Sequence, residues 1–598
     1  MASTRDVFSN EVTGLPEAVP TEVAQLRRGD HFALAVEPVV KTVAGSAVRM
    51  LAYNRSIPGP TIRVEEGVRV VIDITNLGDL EATVHWHGLR LDNRYDGTDL
   101  TQHPIAIGDS YQAVLTFPDP GVYWYHPHIR ADYGLEMGLY GGVIVDPAAA
   151  DYWPARHRDV LLTLDDILIE DGAVAAFDRH EPSYAAMGRF GNVMLINGSD
   201  QLALTAVPGE VVRFYLVNTA NTRVFMVAIP GARMKLVGGD SGRVEHEEFV
   251  EDVVLGPSER AVVDVLFDAT GELTLEHRTP ERTYPLATIT VAGDAAVPSL
   301  DAEFKRLRTN EDMVAQRARI EPYLAAAPDK TLVFTALMDF APPEGSEVVV
   351  YACPMHPEVV SDTAGHCPQC GMKLLPLRAA DLSYACPMHP EMVSATPGHC
   401  PTCAMKLLPA QLIGQLTAGA APSHAHDHGD DHENTRNDHE HGHGEEHGHG
   451  DGDGHGHTHG TGDGTGIEWE DDMVEVNRIT TRANMQWKLI DAATNAVNHD
   501  IDWSFRVGDQ VKIRLVNEMG GDHPMHHPFH IHAAGRFLIL SRDGVTEPNL
   551  VWKDTVLLKT GETVDILLDV TSPGHWMAHC HIAEHHENGM MFHFKVTG

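Results

Sequence analysis

Outside a histidine-rich tract at residues 423–460, eight histidines of this chain form four pairs in which a single residue separates the two imidazoles. On a β-strand, residues i and i+2 point to the same side, so each pair directs two imidazoles to one place. One such pair is usually two surface histidines, whereas four pairs in one chain indicate a metal centre. Eight imidazoles that meet at a domain interface can hold about three metal ions. The pairs are His85 and His87, His126 and His128, His530 and His532, and His579 and His581.

A cysteine lies inside the last pair. Cys580 separates His579 from His581, so its side chain points to the opposite side of the strand. One thiolate, two imidazoles and a weak axial methionine form the ligand set of a blue-copper electron-transfer site. An electron on the Cys580 sulfur has a short covalent route to both histidines, which suits an enzyme that collects single electrons to reduce O2 to water. The other candidate ligands are His527, whose parity differs from that of His530, and His585 and Met590.

An internal repeat predicts how the chain places these residues. A segment that runs from a glycine through an apolar strand to an asparagine occurs three times, with its starting glycines at 67, 209 and 508. A second repeated segment ends five residues before His126 and His579, and five residues before Glu276 in the middle copy. The short alternating strands are typical of β-sandwiches. We therefore expect an all-β chain with three copies of one domain, of which the first and third keep metal ligands.

These motifs resemble the four copper-binding signatures of three-domain multicopper oxidases, the laccase-like group. The resemblance extends from about residue 33 to residue 597, apart from an insertion. It implies three cupredoxin-like Greek-key domains and four copper ions, namely one type 1, one type 2 and a type 3 pair. It assigns type 1 copper to His527, Cys580, His585 and Met590, type 2 copper to His85 and His530, and the type 3 pair to His87, His126, His128, His532, His579 and His581.

Two positions bear on the supply of protons. Asp96 resembles the family acid that handles protons and charge beside the trinuclear cluster, although an ordinary Asp-Gly turn is the alternative. The position after the type 1 histidine often carries a glutamate in bacterial relatives, but here it is His586, followed by Glu587. Because the unperturbed pKa of histidine lies near neutral, His586 could relay protons itself.

The axial Met590 resembles that of bacterial members, which favours easily oxidised donors: Cu(I), Fe(II) or electron-rich phenols. In copper-efflux oxidases, a methionine two residues before the type 1 histidine helps to bind substrate Cu(I), and Met525 matches it. The acid of that site is replaced by His523, with Asp522 beside it. Two alternatives remain, because Met525 could simply pack near the type 1 copper and Asp522 could accept a proton from a phenol.

The insertion contains two copies of the motif C-x2-H-x10-C-x2-C at a period of 33 residues. Three thiolates and one imidazole can form a tetrahedral site for Cu or Zn. The copies resemble small heavy-metal-binding modules of metal efflux proteins, and a structural zinc knuckle is the alternative. Their ligands are Cys353, His356, Cys367 and Cys370 in the first copy, and Cys386, His389, Cys400 and Cys403 in the second.

A histidine-rich tract with twelve histidines between residues 423 and 460 follows the modules. It lacks apolar periodicity, so we expect it to be disordered without metal and to bind metal weakly, although it could also be a plain linker. The expected segments are a first β-domain (1–148), a second (149–297), a connector with the first strand of the third (298–344), the two modules (345–412), the histidine-rich segment (413–466) and the rest of the third domain (467–598).

Composition excludes several classes of protein. The 598 residues contain 44 Lys and Arg against 85 Asp and Glu, a net charge of −41, which argues against nucleic acid and anionic membranes as partners. No apolar run is long enough for a membrane span, and we expect a monomer. The N-terminal residues do not read as a signal peptide, which predicts a cytoplasmic protein as written, whereas the resembling family is usually exported.

Three hypotheses follow. The first is a multicopper oxidase that oxidises Cu(I) in copper tolerance and also has laccase-like activity on phenols. The second is a laccase whose insertion only helps to load copper. The third, from another class, is a metal sequestration protein that no longer acts as an oxidase, and the complete ligand set argues against it.

Overall fold

The computed structural model describes residues 6–338, 350–353, 356, 358–369, 373–377, 383–389, 391–410, 412–413, 466–471, 473–518 and 525–598. Cys370, Asp522 and the histidine-rich tract lie outside these residues. The prediction of an all-β fold with cupredoxin-like domains is confirmed. The chain divides into a body, residues 1–339 with 462–598, and an inserted unit, residues 340–461. Within the described ranges, no helix has the length and apolar character needed to cross a bilayer.

The first domain is a sandwich of two sheets with strand orders β1-β4-β9-β8-β6 and β3-β2-β5-β7. A helix, α1, spans Ala131–Glu136 between β8 and β9. The strands are β1 (Val23–Gln25), β2 (His31–Val43), β3 (Ser46–Tyr53), β4 (Gly59–Glu65), β5 (Arg69–Asn76), β6 (His85–His87), β7 (Ser110–Thr116), β8 (Gly121–His126) and β9 (Gly141–Asp146).

The second domain has sheets ordered β13-β10-β15-β20-β17-β18 and β14-β22-β21-β16-β19, with a small ribbon of β11 and β12. Burial alternates along β5 of the first domain, whereas β15 and β20 are buried at every residue. Strands β15 and β20 also contact β8 of the first domain. The strands are β10 (Arg158–Ile167), β11 (Ile169–Glu170), β12 (Ala173–Val174), β13 (Val193–Ile196), β14 (Leu202–Ala206), β15 (Glu210–Asn218), β16 (Phe225–Ala228), β17 (Arg233–Gly239), β18 (Gly242–Val250), β19 (Val253–Leu255), β20 (Arg260–Phe267), β21 (Gly271–Arg278) and β22 (Thr283–Val291).

Helices α2 (Asp301–Lys305) and α3 (Glu311–Leu324) connect the second domain to the third. The third domain has sheets ordered β30-β23-β32-β37-β34-β35 and β31-β39-β38-β33-β36. Its helices are α4 (Val474–Asn477) and α5 (Ala583–Glu587). Its strands are β23 (Lys330–Met338), β30 (Met485–Asp491), β31 (Trp503–Arg506), β32 (Gln510–Asn517), β33 (His527–Ile531), β34 (Gly535–Arg542), β35 (Val545–Thr546), β36 (Thr555–Leu558), β37 (Thr563–Val570), β38 (Gly574–Cys580) and β39 (Met591–Thr597).

The repeated glycine-to-asparagine segment corresponds to β5, β15 and β32, and the structure explains both of its ends. The starting glycines have φ of +76°, +76° and +96°, a left-handed conformation that glycine adopts without strain. The closing asparagines are buried, and their side-chain amides donate to main-chain carbonyls of the loop that follows, as Asn218 does to Arg223. Asn218 donates also to the carbonyl of Leu255 in β19. The repeated segment therefore corresponds to the same strand in each domain, which begins and ends in the same way.

In the inserted unit, each copy of the cysteine motif folds around a small three-stranded sheet. Each sheet has a short first strand between two others, which brings the residues before the first cysteine close to the end of the module. The strands are β24 (Val350–Ala352), β25 (Val360–Ser361) and β26 (Leu375–Leu377) in the first module, and β27 (Tyr384–Ala385), β28 (Val393–Ser394) and β29 (Leu408–Pro409) in the second.

Candidate metal centres

The four histidine pairs meet in one buried cluster between the first and third domains, which we call the histidine cluster. Strand β6 contains the whole first pair, whereas β8, β33 and β38 each contain the first histidine of a pair, and the second follows within two residues of the end of the strand. The rings pack closely, since the centroids of His87 and His530 are 3.8 Å apart and those of His85 and His532 are 4.1 Å apart. None of the eight histidines is more than 5% exposed.

Protein acceptors hold one nitrogen of the imidazoles. His85 Nδ1 donates to the main-chain oxygen of Asp96 at 2.7 Å, and His532 Nδ1 donates to the Asp96 carboxylate at 2.8 Å. His530 Nδ1 donates to the main-chain oxygen of Asp554 at 2.9 Å. Because these Nδ1 atoms carry the protons, each ring presents a lone pair at Nε2. This is the arrangement of metal-ligating histidines, whose second nitrogen is fixed by an acceptor.

The opposite nitrogens point into the cluster. Six of them are buried and make no hydrogen bond to any residue that the structure describes: Nε2 of His85, His126, His128, His530 and His581, and Nδ1 of His87. The Nε2 atoms of His532 and His579 lie 3.1 Å apart, although Nδ1 of each ring already donates to an oxygen. Two lone pairs that face each other at this distance repel unless a cation lies between the rings.

Three sets of these nitrogens lie close enough to share an ion, and within each set the ligand atoms are within 4.8 Å of one another. Burial lowers the pKa of His85 to about 3 and those of His87, His126, His128, His530, His532, His579 and His581 well below the ordinary value. The rings are therefore neutral, as ligands must be. The sets are His85, His87 and His530; His87, His126 and His581; and His128, His532 and His579.

The cysteine site lies on the other side of β38. Cys580 Sγ is 3.5 Å from His527 Nδ1 and 3.7 Å from His585 Nδ1, and all three residues are buried. Burial raises the pKa of the Cys580 thiol, so a cation is needed to stabilise the thiolate. Met590 is fully buried beside the site, and its main chain bonds to both Cys580 and His585. The structure thus brings the predicted set together.

The two sites share main-chain atoms. The carbonyl oxygen of Cys580 accepts a hydrogen bond from His579 Nδ1 at 2.8 Å, and so orients a ring of the histidine cluster. In the sheet, His579 lies opposite His530, and Cys580 lies opposite Phe529. The tripeptide of residues 579–581 therefore connects the cysteine site to the cluster through a few covalent bonds and one hydrogen bond.

Asp96 lies beneath the cluster and contacts two of its rings. Its main-chain oxygen accepts from His85, its carboxylate accepts from His532, and its Oδ1 atom is buried without a hydrogen-bond partner among the described residues. Burial raises the pKa of Asp96 to about 6, against the opposing effect of His85. The carboxyl can thus take up or release a proton near neutral pH within reach of the cluster.

His586 lies against the other face of the cluster. Its ring centroid is 4.7 Å from that of His128 and 4.6 Å from that of His579. Its Nδ1 lies 3.4 Å from the carboxylate of Glu587. A cavity of about 10 Å³, roughly the space that one water molecule needs, is lined by His126, His128, Ala131, Leu135, His579, His581, Ala583 and His586.

Sequence reasoning missed several residues that support the site. Glu584 is buried, accepts from Asn221 and Thr222 of the second domain, and has a pKa that burial raises to about 7. Asp554 and Thr555 contact the rings of the histidine cluster. Of these residues, only Glu584 could have been identified from the sequence, because it directly precedes the candidate ligand His585. Asp554 and Thr555 lie at the start of an ordinary strand, where nothing in the sequence indicates a site.

The residues predicted to bind donor are only partly described. Met525 is 1% exposed, and its carbonyl accepts from Asn517 at 2.7 Å. Asp522 lies outside the described residues. The role of these two residues in binding Cu(I) or a phenol stays a prediction.

The second module of the insertion gathers its four predicted ligands within 4.8 Å of one another. Cys386 Sγ is 3.5 Å from Cys403 Sγ and 3.7 Å from His389 Nδ1. Although burial opposes it, N–H groups of Cys403 and Thr402 lower the pKa of Cys400 to about 6. In the first module, Cys353, His356 and Cys367 converge in the same way, and Cys370 lies outside the described residues.

Family models match most of the chain. Models described as multicopper oxidase match residues 35–150, 158–274 and 470–598, which together make up more than half of the chain. The chain belongs to the multicopper oxidase family. Membership implies copper as the metal. A model described as heavy metal binding domain matches residues 350–377 and 383–410 of the insertion.

Individual relatives are distant. Multicopper oxidase MmcO of Mycobacterium tuberculosis is 30% identical over 266 residues, which are 40% of this chain and 51% of the relative. Copper resistance protein A of Pseudomonas syringae pv. tomato is 26% identical over 333 residues, 48% of this chain and 54% of the relative. The chain thus spans about half the length of these curated relatives.

A solved structure shares the fold. The laccase-like multicopper oxidase from Ochrobactrum superposes with a TM-score of 0.60 at 19% identity, over 98% of this chain and 100% of that chain. At this identity the likeness shows the fold alone.

Proposed function

We propose that this protein couples the one-electron oxidation of a donor at the cysteine site to the four-electron reduction of O2 to water at the histidine cluster. The observation that carries the proposal is the tripeptide of residues 579–581, which gives one ligand to the first site and two to the second. When bound, the copper ions would supply the electron transfer and the reduction of O2.

The candidate ligands of the two sites fit these two roles. The cysteine site, with Cys580, His527, His585 and the buried Met590, would hold the type 1 copper. The three sets of nitrogens in the histidine cluster would hold the type 2 copper and the type 3 pair, with His85 and His530 at type 2. Fixed acceptors hold these rings in place, so little reorganisation is needed when the charge in the cluster changes.

Protons must reach the cluster with the electrons. Asp96 can hold one at Oδ1, which is buried beside the rings of His85 and His532. On the other face, His586 lines the cavity and lies beside Glu587, so it can pass protons toward the same space. We assign proton supply to these two residues.

We propose Cu(I) as the donor. A segment of residues 466–471 and 473–484, which we call the cover, contacts the chain beside the cysteine site: Glu468 N–H donates to Nδ1 of His526, next to the ligand His527. Asn477 of this segment accepts from the main chain of Met187 and donates to that of Gly188 in the second domain.

His527 is 1% exposed and His585 is unexposed, so a phenol ring cannot touch them in this conformation, whereas a small cation needs less room. Buried Met187, Met473 and Met525 provide soft sulfur atoms in this region. The heavy metal binding modules and the name of the copper resistance relative also support a copper substrate. Laccase-like activity on phenols is the second candidate, and the name of the laccase-like protein from Ochrobactrum favours it.

Oxygen uptake by copper-loaded protein separates the candidates. The full chain and a variant lacking residues 345–466 are compared with chelated Cu(I) and with a methoxyphenol, after correction for spontaneous oxidation of Cu(I). If Cu(I) is the donor, the deletion lowers Cu(I) oxidation at limiting copper while phenol oxidation is kept or rises. Equal effects on both substrates would refute a copper-collecting role. A blue absorption band of the copper-loaded chain would refute the third hypothesis, a sequestration protein without oxidase activity.

A further inference from the structure

All eight imidazoles of the histidine cluster come from the first and third domains, yet a fully buried arginine of the second domain lies behind them. Arg260 begins β20, and its side chain is 0% exposed. A guanidinium has five N–H donors, and each of those of Arg260 has an acceptor. Nε donates to Val122 O, Nη1 to Ser258 O and to Asp554 Oδ1, and Nη2 to Asp240 O and to Asp554 Oδ2.

These acceptors belong to all three domains. Val122 lies in β8, the strand of the first domain that leads to His126. Asp554 belongs to the third domain, and its two oxygens lie 2.7 Å and 2.6 Å from the guanidinium nitrogens, a two-pronged contact that fixes the plane of the carboxylate. The arginine therefore sets the position of Asp554 relative to the first domain.

Asp554 in turn contacts two rings of the cluster. Its Oδ1 atom accepts from His87 Nε2 at 3.0 Å, so His87 presents Nδ1 to the cluster. Its main-chain oxygen accepts from His530 Nδ1, and Thr555 Oγ1 lies 3.1 Å from both rings. The Nδ1 atom of His87 is thus left free to bind one ion, and Asp554 holds a ring of the first domain and a ring of the third domain at the same time.

We propose that Arg260 is a positioning residue for the histidine cluster: through Asp554 it selects which nitrogen of His87 faces the metal and fixes the distance between the histidines of the two domains. The second domain, which supplies none of the eight imidazoles, thereby still determines the geometry of the cluster. This inference rests on the proposed function, in which these histidines hold copper.

The glycine after the first histidine pair fits this role. A Cβ atom on Gly88 would lie 2.5 Å from Asp554 Oδ2 and 2.6 Å from Arg260 Nη2, so any side chain there would displace the ion pair. Gly88 also has φ of +83°, which disfavours other residues independently. The pair thus occupies space that the first histidine motif leaves open.

The test compares copper-loaded full-length wild type with R260K, R260Q and the control R213K. Arg213 is matched, because it is fully buried in the same domain and makes the same two-pronged contact, with Asp264 at 2.7 Å and 2.8 Å. All variants carry the same insertion, so differences in bound copper arise in the body. Bound copper, the blue band, the electron paramagnetic resonance of type 2 copper and the thermal stability of the metal-free chain are measured.

We expect R260K and R260Q to keep the blue band, to bind less copper and to change the type 2 signal. After reduction, the return of the blue band with O2 should slow by about ten- to a hundredfold, the usual cost of removing a residue that orients a ligand. R213K should lose stability but keep the copper and the signal. If R260Q does not fold, R260K still tests the geometry, since lysine keeps the positive charge but cannot make the two-pronged contact with Asp554.

Two results would overturn the inference: R260K with wild-type copper, type 2 signal and reoxidation rate, or R213K with the same losses as R260K. A wild-type protein that binds copper at Cys580 but none in the histidine cluster would refute the proposed function instead. The two failures are therefore distinguishable.

Discussion

The cysteine site and the histidine cluster differ in how the fold builds them. All four candidate ligands of the cysteine site come from the third domain, between His527 and Met590. Two neighbouring strands and the short helix that follows carry His527, Cys580 and His585, and Met590 lies just after that helix. The histidine cluster needs strands of two domains and acceptors such as Asp96 and Asp554. One site depends on local geometry, and the other depends on how the domains assemble.

The residues that surround the two sites also differ. Around the cysteine site the walls are aromatic: Trp487 stacks on His585 at 4.2 Å between ring centroids, and Phe334 lies 5.6 Å from His527. Around the histidine cluster, oxygen acceptors hold the outer nitrogens. Apolar side chains around the cysteine site exclude water, so the thiolate and the imidazoles are the ligands that remain for a metal ion. Around the histidine cluster, hydrogen-bond acceptors fix the orientation of the imidazoles at a place where several ions must bind in a small volume.

The largest expected effect comes from the replacement C580S. The hydroxyl is a poor substitute for the thiolate as a copper ligand, so the blue band and oxidation of either donor should fall to background. The histidine cluster should still bind copper, because its eight ligands remain. Absorption, oxygen uptake and copper content measure these effects. Loss of copper from the cluster as well would contradict the independence of the two sites.

The next effect concerns Asp96 and pH. Because burial raises its pKa to about 6, the folded protein holds a proton there below about pH 6 and loses it as the pH rises through that value. We expect O2 reduction by the wild type to decline over that range. D96N should be about ten- to a hundredfold slower and should lack this decline. D99N, at a nearby exposed aspartate, is the control; an unchanged pH profile in D96N would exclude Asp96 as the proton donor.

A smaller effect is expected from N477A, which loosens the cover beside the cysteine site. The side chain of Asn477 bonds to Met187, Gly188 and Asp471, so its loss should cost about 2–3 kcal/mol of folding stability. With better access to His585, the KM for a phenol should fall while the blue band stays. The control N549A removes three amide hydrogen bonds at a half-buried position far from the cover in sequence. A phenol KM that changes equally in both variants would mean that the cover does not limit access.

The smallest effect lies in the second module, whose site is the most local of all because its ligands lie within 18 residues in sequence, from Cys386 to Cys403. Ala404 has φ of +61°, where a residue with a side chain is strained by about 1 kcal/mol. A404G should therefore strengthen metal binding by the second module about fivefold, as measured by competition with a chelator. A395G, at a position without positive φ, should have no such effect. An equal gain in A395G would show that backbone freedom, and not relief of strain, is responsible.

The sequence alone determined the local parts of these sites. Strand parity separates Cys580 from His579 and His581, and the structure has the thiol and the imidazoles on opposite sides of β38. The repeat predicted three β-domains because the starting glycine and the closing asparagine each have a fixed backbone role. The spacing of cysteines in the modules likewise encodes a site that a single loop can build.

Only the tertiary structure decided which residues support those ligands. In sequence, Asp554 lies 467 residues and Arg260 lies 173 residues from His87, and nothing in their local sequence indicates a buried arginine–carboxylate pair that orients an imidazole. Nor does strand parity tell which nitrogen of His87 faces the cluster. The physical reason is that parity and turn chemistry act over a few residues, whereas burial, the choice of tautomer and the raised pKa of Asp96 arise from groups that meet only when three domains pack together.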